Sequence, residues 1–425
     1  MAESQALAAK ALSEVFAGRS LNQALPELWR RHPTLSPQER GATQDLVYGT
    51  LRHLTRIEAY LDALLSKPTT DEEVRCLLLA ALYQLAYAKT PEHAAVNQAV
   101  DAARSLKKEW AAGFVNGVLR NFLRRKDELA AKAERRDTTR FSYPRWWIDK
   151  LRVQHPAAYR QMLETSLGHP PMTLRVNRRR TSREAYENLL REAGIAFAVA
   201  GPDALQLDAP LAVDKLPRFR EGWASVQDAG AQLAAHWLDV QAGQRVLDAC
   251  SAPGGKAAHI LELADVELLA LDKEESRLVR VRENLDRLGL SAQLKAGDAA
   301  HPKAWWDGKP YQRILADVPC SASGVVRRHP DIKWLRRPED IPALAQEQGR
   351  ILAALWPMLE VGGKLLYATC SVFAEENQQV VDAFLAAHAD AELLPLPDFN
   401  HGFGQLLPDA AHDGFFYALI SKRPA

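Results

Sequence analysis

The run RVLDACSAPGGKAAHILEL, residues 245–263, carries the clearest fold signal in the chain. Its first part, Arg245–Asp248, is typical of a short buried strand, and the apolar spacing of Lys256–Leu263 predicts a helix. The adjacent glycines between them, Gly254 and Gly255, allow the backbone to come close to a ligand at the helix N-terminus. The run therefore predicts a strand, a glycine turn and a helix that together form a binding site.

This turn does not match the common nucleotide-binding motifs. A P-loop, G-x-x-x-x-G-K-[ST], would need glycine at Cys250 and Ser or Thr at Ala257, and the dinucleotide motif G-x-G-x-x-G is absent. An ATPase or a standard NAD enzyme is therefore disfavoured.

Strand-like and helical segments alternate around this run, and this alternation predicts a doubly wound α/β sheet. The predicted strands are Arg245–Asp248, Leu268–Asp272, Ala292–Ala296, Arg313–Asp317, Lys364–Thr369 and Phe415–Ser421. The predicted helices are Lys256–Leu263, Glu275–Leu288, Ile341–Met358 and Glu375–Ala387. In such sheets ligands bind beyond the carboxyl ends of the strands, so the residues that end each strand are the candidate site.

Two acids follow the glycine turn at successive strand ends. Asp272 ends the second strand, where a carboxylate can accept hydrogen bonds from both hydroxyls of a ribose, and Asp298 follows the third. Either acid alone could be a helix cap, most readily Asp298. Together with the glycine turn they predict a nucleoside cofactor without a pyrophosphate, which is S-adenosylmethionine.

The next two strand ends carry thiols. Asp317–Ser321 contains Cys320 and Ala368–Ser371 contains Cys370, so both cysteines are expected to face one pocket. The helix predicted to begin near Glu375 would favour the thiolate form of Cys370. The four cysteines of the chain form no C-x-x-C pair and no Cys/His cluster, which argues against a zinc site or a disulfide framework.

The part of the chain that precedes the α/β region predicts two further domains. Helical spacing from Ala6 to about Arg125, followed by a charged connecting stretch, predicts an all-α domain over residues 1–140. Residues 141–221 predict a small α+β domain, with a strand at Met172–Val176 and a helix capped by Ser182. The α/β domain then occupies residues 222–425. Arg175, Arg178 and Arg179 lie at the strand end and turn of the second domain, where arginine forks could bind phosphates.

The balance of charged residues changes near the predicted start of the α/β domain. Residues 1–220 hold 34 Lys and Arg against 25 Asp and Glu, whereas residues 221–425 hold 20 against 28. A basic half suggests a polyanionic partner. The 425 residues have the 47% hydrophobic and 25% charged composition of a globular protein, and no apolar run is long enough to span a membrane. We expect a cytoplasmic protein in a reducing compartment.

Several motifs resemble those of the Sun-type RNA (cytosine-5)-methyltransferases. They are Cys250–Lys256, Asp272, Asp298, Asp317–Ser321, Arg327–Trp334, Thr369–Ser371 and His412–Phe416. The helical segments Gly41–Leu54, Glu92–Ala103 and Phe114–Arg125 resemble the NusB-type RNA-binding domain. Val318 and Ser251 depart from the alanines usual at those positions, and both are small.

The resemblance implies an enzyme that methylates 16S ribosomal RNA, or an assembly intermediate of the small subunit, with S-adenosylmethionine, Cys370 acting as nucleophile, Cys320 assisting release and Asp317 holding the base. We expect a monomer. It implies cofactor contacts from Ala249, Cys250, Ser251, Ala252, Pro253, Gly254, Gly255, Lys256, Asp272, Asp298 and Asp317. Basic residues beside an aromatic suit RNA binding, which adds Arg327, Arg328 and Lys333 to the candidate RNA contacts. The alternative for the loop Arg327–Trp334 is that it only folds over the cofactor.

The sequence does not establish the exact target nucleotide, whether the substrate is naked RNA or a partly assembled subunit, or the oligomeric state, and three further points stay open. Lys256 could reach the base, the cofactor carboxylate or solvent. A nucleoside-cofactor oxidoreductase is disfavoured by the missing G-x-G-x-x-G and by the paired cysteines, and binding of S-adenosylmethionine or NAD would separate it from a methyltransferase. A non-catalytic RNA chaperone that kept the fold is disfavoured by the intact Cys320 and Cys370.

Overall fold

The computed structural model describes residues 2–397, 399 and 403–424. Two compact units account for the chain: residues 1–169 together with 326–338, and residues 170–325 together with 339–425. The first unit is all-helical, as predicted for the N-terminal part. The second contains residues 170–221 of the predicted α+β region and most of the predicted α/β region, whereas residues 141–169, which were predicted to belong to the α+β domain, are helical and lie in the first unit. Among the described residues, no helix is both long enough and apolar enough to cross a membrane.

The first unit has eleven α-helices in its described residues, and the first seven pack around a core of Leu, Ala and Val. The eleven are Ala2–Phe16, Leu21–Arg31, Pro37–Arg52, Leu54–Leu64, Glu72–Tyr87, Glu92–Ser105, Ala112–Ala133, Asp137–Phe141, Arg145–Gln154, Tyr159–Thr165 and Ile332–Leu335. Local signals set several boundaries: Ser36 and Glu39 form a capping box, and Asp71 accepts a hydrogen bond from the Val74 N–H. Cys76 lies in this core, and burial raises the pKa of its thiol.

The charged stretch after Arg125 is not a separate connecting helix. Residues up to Ala133 continue the preceding helix, so that Ala112–Ala133 is a single element of 22 residues. Val115, Leu119, Phe122 and Leu129 recur on one face of it, and all four are buried. The apolar face thus extends through the charged stretch.

Residues 326–338 belong to the helical unit although they closely follow Cys320 in sequence. Lys333 Nζ donates to the carbonyl oxygens of Arg52 (3.0 Å) and Ser142 (2.7 Å), and the Trp334 indole N–H donates to Leu51 O (2.8 Å). Helices end with unpaired carbonyls, and a cation is favourable there, so the segment completes the end of helix Pro37–Arg52. Asp331 Oδ2 accepts from Leu21 N at the start of another helix (2.9 Å).

This packing corrects two predicted RNA contacts. Lys333 is 1% exposed and Arg327 is 4% exposed, so neither cation can meet a phosphate. Burial lowers the pKa of Lys333 well below its usual range. Basic residues beside an aromatic here form an internal cation–π contact, with Nζ 4.4 Å from the Tyr143 ring centroid. Arg328 is half-buried, and its RNA contact stays a prediction.

The second unit begins with a four-stranded antiparallel sheet in the order β2-β3-β1-β4. Its strands are β1 (Met172–Val176), β2 (Phe197–Val199), β3 (Ala204–Leu207) and β4 (Ala224–Val226). The helix Arg183–Glu192 lies between β1 and β2, and Ser182 caps it by accepting from Ala185 N, as predicted. Leu174, Val176, Leu205 and Leu207 form part of its core.

A larger sheet follows in the order β10-β12-β9-β8-β5-β6-β7, with β11 paired to β12. Its strands are β5 (Arg245–Asp248), β6 (Glu267–Asp272), β7 (Gln293–Ala296), β8 (Tyr311–Asp317), β9 (Leu359–Thr369), β10 (Ala391–Leu394), β11 (Phe403–Leu406) and β12 (Phe415–Lys422). Strands β5 to β9 are parallel, and β12 runs antiparallel to β9. The helices of this unit outside the small sheet are Ala229–Trp237, Gly255–Leu263, Glu275–Leu288, Asp340–Leu355 and Gln378–Ala387. The predicted α/β sheet is confirmed, with six predicted strands and two further short ones.

Candidate active site

The glycine turn follows β5 and leads into the helix Gly255–Leu263. Gly254 has φ +94°, a left-handed conformation that favours glycine, and a Cβ there would meet the Val281 backbone and side chain at 3.0–3.3 Å. Around Gly255 the nearest protein atom would lie 3.6 Å from an added Cβ. The protein thus requires glycine at 254, while at 255 the protein itself leaves room for a side chain.

Asp272, at the end of β6, organises this turn. Its Oδ2 accepts from Ala252 N (3.0 Å), and its Oδ1 accepts from Glu274 N (3.1 Å) and from the Arg277 guanidinium (3.2 Å). Because a carboxylate has about four acceptor positions, one remains for a ligand. Both hydroxyls of a ribose could be accepted only if Arg277, whose side chain is half exposed, gave up its bond.

Asp298 lies beyond β7 and is partly exposed. Its Oδ1 accepts from Ala300 N (3.0 Å), while Oδ2 lies 2.9 Å from Lys273 Nζ and 3.3 Å from His301 Nδ1. Burial alone would raise the pKa of Asp298, but these partners, led by Lys273, lower it below its usual range. The side chain is an ionised acceptor that also shapes its own turn.

Lys256 and Asp317 form an ion pair at the end of β8, with Nζ 2.6 Å from Oδ2. Burial opposes the charge on Lys256, but the Asp317 carboxylate outweighs it and raises the pKa of the ammonium. The lysine side chain is 14% exposed and is directed at Asp317. Of the three alternatives for Lys256, solvent is thereby excluded in this structure.

Asp248, at the end of β5, is an acid that the sequence analysis did not single out. It is buried, and burial followed by the nearby Asp317 carboxylate raises its pKa to about 7. The sequence feature that could have identified Asp248 is its position at the end of the predicted strand Arg245–Asp248. Arg277, which contacts Asp272 and donates to Ala252 O (3.1 Å), was also missed, and no sequence pattern pointed to it.

The two predicted thiols face each other. Cys320 Sγ and Cys370 Sγ are 3.4 Å apart, and both side chains are partly exposed. The contact with Cys370, followed by burial, raises the pKa of Cys320 well above its usual range. Cys320 therefore keeps its proton and can donate it in a hydrogen bond to the Cys370 sulfur. The nearest full helix begins at Gln378 and not near Glu375, since Ala374–Glu376 is a 3₁₀ turn.

The predicted arginine contacts divide into one buried and two exposed residues. Arg175 is 1% exposed and forms a bidentate ion pair with Glu262, with Nη2 2.7 Å from Oε1 and Nε 2.9 Å from Oε2. Its predicted RNA contact is therefore wrong. Arg178 is exposed and pairs with Asp203, and Arg179 is exposed and donates to Leu261 O (3.0 Å). The last two stay candidates for phosphate binding.

Three family models match successive parts of the chain. Residues 235–421 match the model described as 16S rRNA methyltransferase RsmB/F. Residues 2–124 match the NusB family. Residues 143–214 match the RsmF/B-like methyltransferase, ferredoxin-like domain.

Curated relatives are similar over almost their whole length. The protein named ribosomal RNA small subunit methyltransferase B of Pseudomonas putida is 48% identical, over 98% of this chain and 97% of that protein. Its namesake from Vibrio cholerae is 45% identical over 99% and 97%. A solved structure titled PH0851 has a TM-score of 0.81 at 23% identity over 99% of both chains. A methyltransferase homologue from Pyrococcus horikoshii has a TM-score of 0.60 at 28% identity over 67% of this chain and 97% of that one.

Proposed function

Because this chain belongs to the RsmB/F family of 16S rRNA methyltransferases, we propose that it transfers a methyl group from S-adenosylmethionine to C5 of a cytosine in 16S rRNA. The observation that carries the choice of C5 is the thiol pair, 3.4 Å between sulfurs, at strand ends next to the Asp317–Lys256 ion pair. Methylation at an amine or hydroxyl does not require a thiol nucleophile, whereas C5 of a pyrimidine becomes nucleophilic when a thiolate adds to C6.

The thiol answers a specific chemical difficulty. Carbon 5 of cytosine is too weak a nucleophile to take a methyl group directly. We assign to Cys370 the addition of a thiolate to C6, which opens the C5–C6 double bond and makes C5 nucleophilic. After the methyl transfer, a general base takes the proton from C5, the electron pair of that C–H bond restores the C5–C6 double bond, and the S–C6 bond breaks, which regenerates the Cys370 thiolate. We assign the assistance of this release to Cys320.

The Asp317–Lys256 pair is our candidate for contact with the base. As the thiolate adds, negative charge develops in the ring, and a proton at N3 stabilises it. Lys256 holds Asp317 Oδ2 at 2.6 Å, which fixes the carboxylate before the base arrives. The target base must leave its stack to reach this site.

The polar groups at these strand ends suit the nucleoside part of the cofactor. Asp272 has an acceptor position left for a ribose hydroxyl, Asp298 is ionised and partly exposed, and the glycine turn brings main-chain groups to the same strand ends. We propose that these three features bind S-adenosylmethionine, which supplies the methyl group as a sulfonium. Because no pyrophosphate motif is present, a dinucleotide suits the site less well.

Replacement of Asp272 by Ala should weaken cofactor binding. The loss of a charge-assisted hydrogen bond and of the Ala252 anchor should cost roughly 1.5–3 kcal/mol, about 10- to 150-fold in Kd. Calorimetric titration with S-adenosylmethionine measures this change in Kd. Arg277→Ala is the matched control, since that variant frees an acceptor position on Asp272 and keeps the carboxylate. Unchanged affinity in Asp272→Ala, with the fold intact by circular dichroism, would remove Asp272 from the cofactor site.

RNA binding should depend strongly on salt. A basic half that neutralises phosphates releases counterions, so affinity for 16S rRNA should fall steeply as salt rises. Arg179→Ala should reduce the slope of log K against log salt by about one, because one phosphate contact is lost. Arg350→Ala, an exposed arginine paired with Glu347 in the acidic half, serves as the control. A salt-insensitive affinity, or equal slopes for both variants, would contradict the proposal.

The cellular test is a map of 5-methylcytosine in 16S rRNA from cells that lack this protein. We expect one modified cytosine to lose its methyl group and to regain it when the wild-type gene is restored. The Cys370→Ala gene should not restore it. An unchanged map would overturn the choice of C5 or the choice of substrate.

A further inference from the structure

A buried acid lies directly behind the two thiols. Glu376 ends the 3₁₀ turn Ala374–Glu376, six residues after Cys370, and is 0% exposed. The catalytic steps above do not use it. A carboxylate withdrawn from water is costly unless its oxygens are well bonded, so its partners indicate what it is for.

All four acceptor positions of this carboxylate are occupied by neutral donors. Oε1 accepts from Ser321 N (2.6 Å) and from the Gln348 side-chain amide (3.3 Å). Oε2 accepts from the hydroxyls of Ser321 (2.5 Å) and Ser371 (2.6 Å). This is the full capacity of an ionised carboxylate.

The two serines connect this carboxylate to both thiols. Ser321 directly follows Cys320, and Ser371 directly follows Cys370, so one side chain bridges two loops that are fifty residues apart in sequence. Ser323 adds a second link: its hydroxyl lies 2.9 Å from the Ser371 hydroxyl and accepts from Val372 N (2.9 Å). Separation of the loops would leave several of these buried groups unpaired.

We propose that Glu376 is a positioning residue that holds the Cys320 and Cys370 loops at the distance needed for addition and release. The proposal rests on the proposed function for its purpose, but its geometric content is independent of any methyl transfer. A displacement on the order of 1 Å between reacting groups can cost roughly 100-fold in rate. Loss of Glu376 should therefore lower kcat and leave the affinity for S-adenosylmethionine unchanged.

The test measures the thiol geometry directly, with dibromobimane, a short reagent that alkylates two neighbouring thiols with loss of two bromides. The full-length protein should give a Cys320–Cys370 bridge, identified by mass spectrometry of the joined peptides. Glu376→Ala should slow this bridging by at least about tenfold and lower kcat to a similar or greater extent. Glu376→Gln should retain most of both, because the amide keeps the shape and the serine hydroxyls can accept as well as donate. Glu347→Ala, an ion-paired surface carboxylate on the helix that carries Gln348, is the control.

The outcomes separate this proposal from the proposed function. Wild-type bridging in Glu376→Ala would overturn the positioning role, whatever happens to methylation. If Glu376→Ala bridges its thiols slowly and the wild-type protein never methylates RNA, the positioning role is sustained and the proposed function is contradicted. If Glu376→Ala does not fold, Ser321→Ala and Ser371→Ala each remove one contact, and wild-type bridging rates in both would overturn the proposal.

Discussion

Cys320→Ala should accumulate a protein–RNA complex that survives denaturing electrophoresis, whereas Cys370→Ala should form none. If Cys370 adds to C6, its loss prevents any adduct, and turnover should fall by at least about three orders of magnitude while cofactor and RNA still bind. If Cys320 assists only release, its variant should still add and transfer the methyl group, and should then stall. The measurement is incubation with 16S rRNA and S-adenosylmethionine, followed by denaturing gel electrophoresis and mass spectrometry of the trapped peptide.

Cys76→Ala is the control for the loss of a thiol elsewhere, because Cys76 is buried in the helical core. A stable complex from Cys370→Ala and none from Cys320→Ala would reverse the two assignments. If neither variant forms an adduct and both stay active, the thiols have a structural role, and the covalent route is wrong.

Asp248→Asn should stabilise the protein at neutral pH and above. The pKa of Asp248 is raised from 3.8 to about 7, so between these values the folded state binds more protons than the unfolded state. The free energy of unfolding therefore falls as pH rises through this window and levels off above it. From this shift the penalty is about 4 kcal/mol at pH 8, and an uncharged Asn avoids it.

Urea unfolding of both proteins at pH 5 and pH 8 measures the effect. The stability difference between the variant and the wild type should grow toward pH 8. Asp307→Asn is the control, since Asp307 is exposed and its pKa is lowered. A difference for Asp248→Asn that does not change with pH would show that the carboxylate is not destabilised by its burial.

The strand ends of the α/β region could be predicted because their signal is local. Each candidate residue ends a strand, and parallel strands bring their carboxyl ends to one edge of the sheet. Asp272, Asp317 and Cys320 needed no long-range information beyond this rule. Ala391–Leu394 and Phe403–Leu406 escaped prediction because they are short and contain no β-branched residue.

The wrong RNA-contact predictions concern basic residues whose hydrogen-bond acceptors lie far away in the sequence. Arg175 lies on a strand with both faces covered, and its partner Glu262 is 87 positions away. Lys333 meets carbonyl groups that are 191 and 281 positions away. Local sequence shows the charge of such residues but not the acceptors that remove it from solvent. The Glu376 cluster escaped for the same reason, because its serines become neighbours only when β8 and β9 pair.

The placement of residues 326–338 in the helical unit has a consequence for synthesis on the ribosome. When residue 169 has emerged, this unit still lacks the segment that pairs with Leu51 O, Arg52 O and Leu21 N. At about 5–20 residues per second, the missing segment follows roughly ten to thirty seconds later. During that interval the nascent domain has open helix ends and an exposed apolar surface. The N-terminal part therefore matures only after most of the catalytic part has been translated, which makes this interval the period when a chaperone would be of most use.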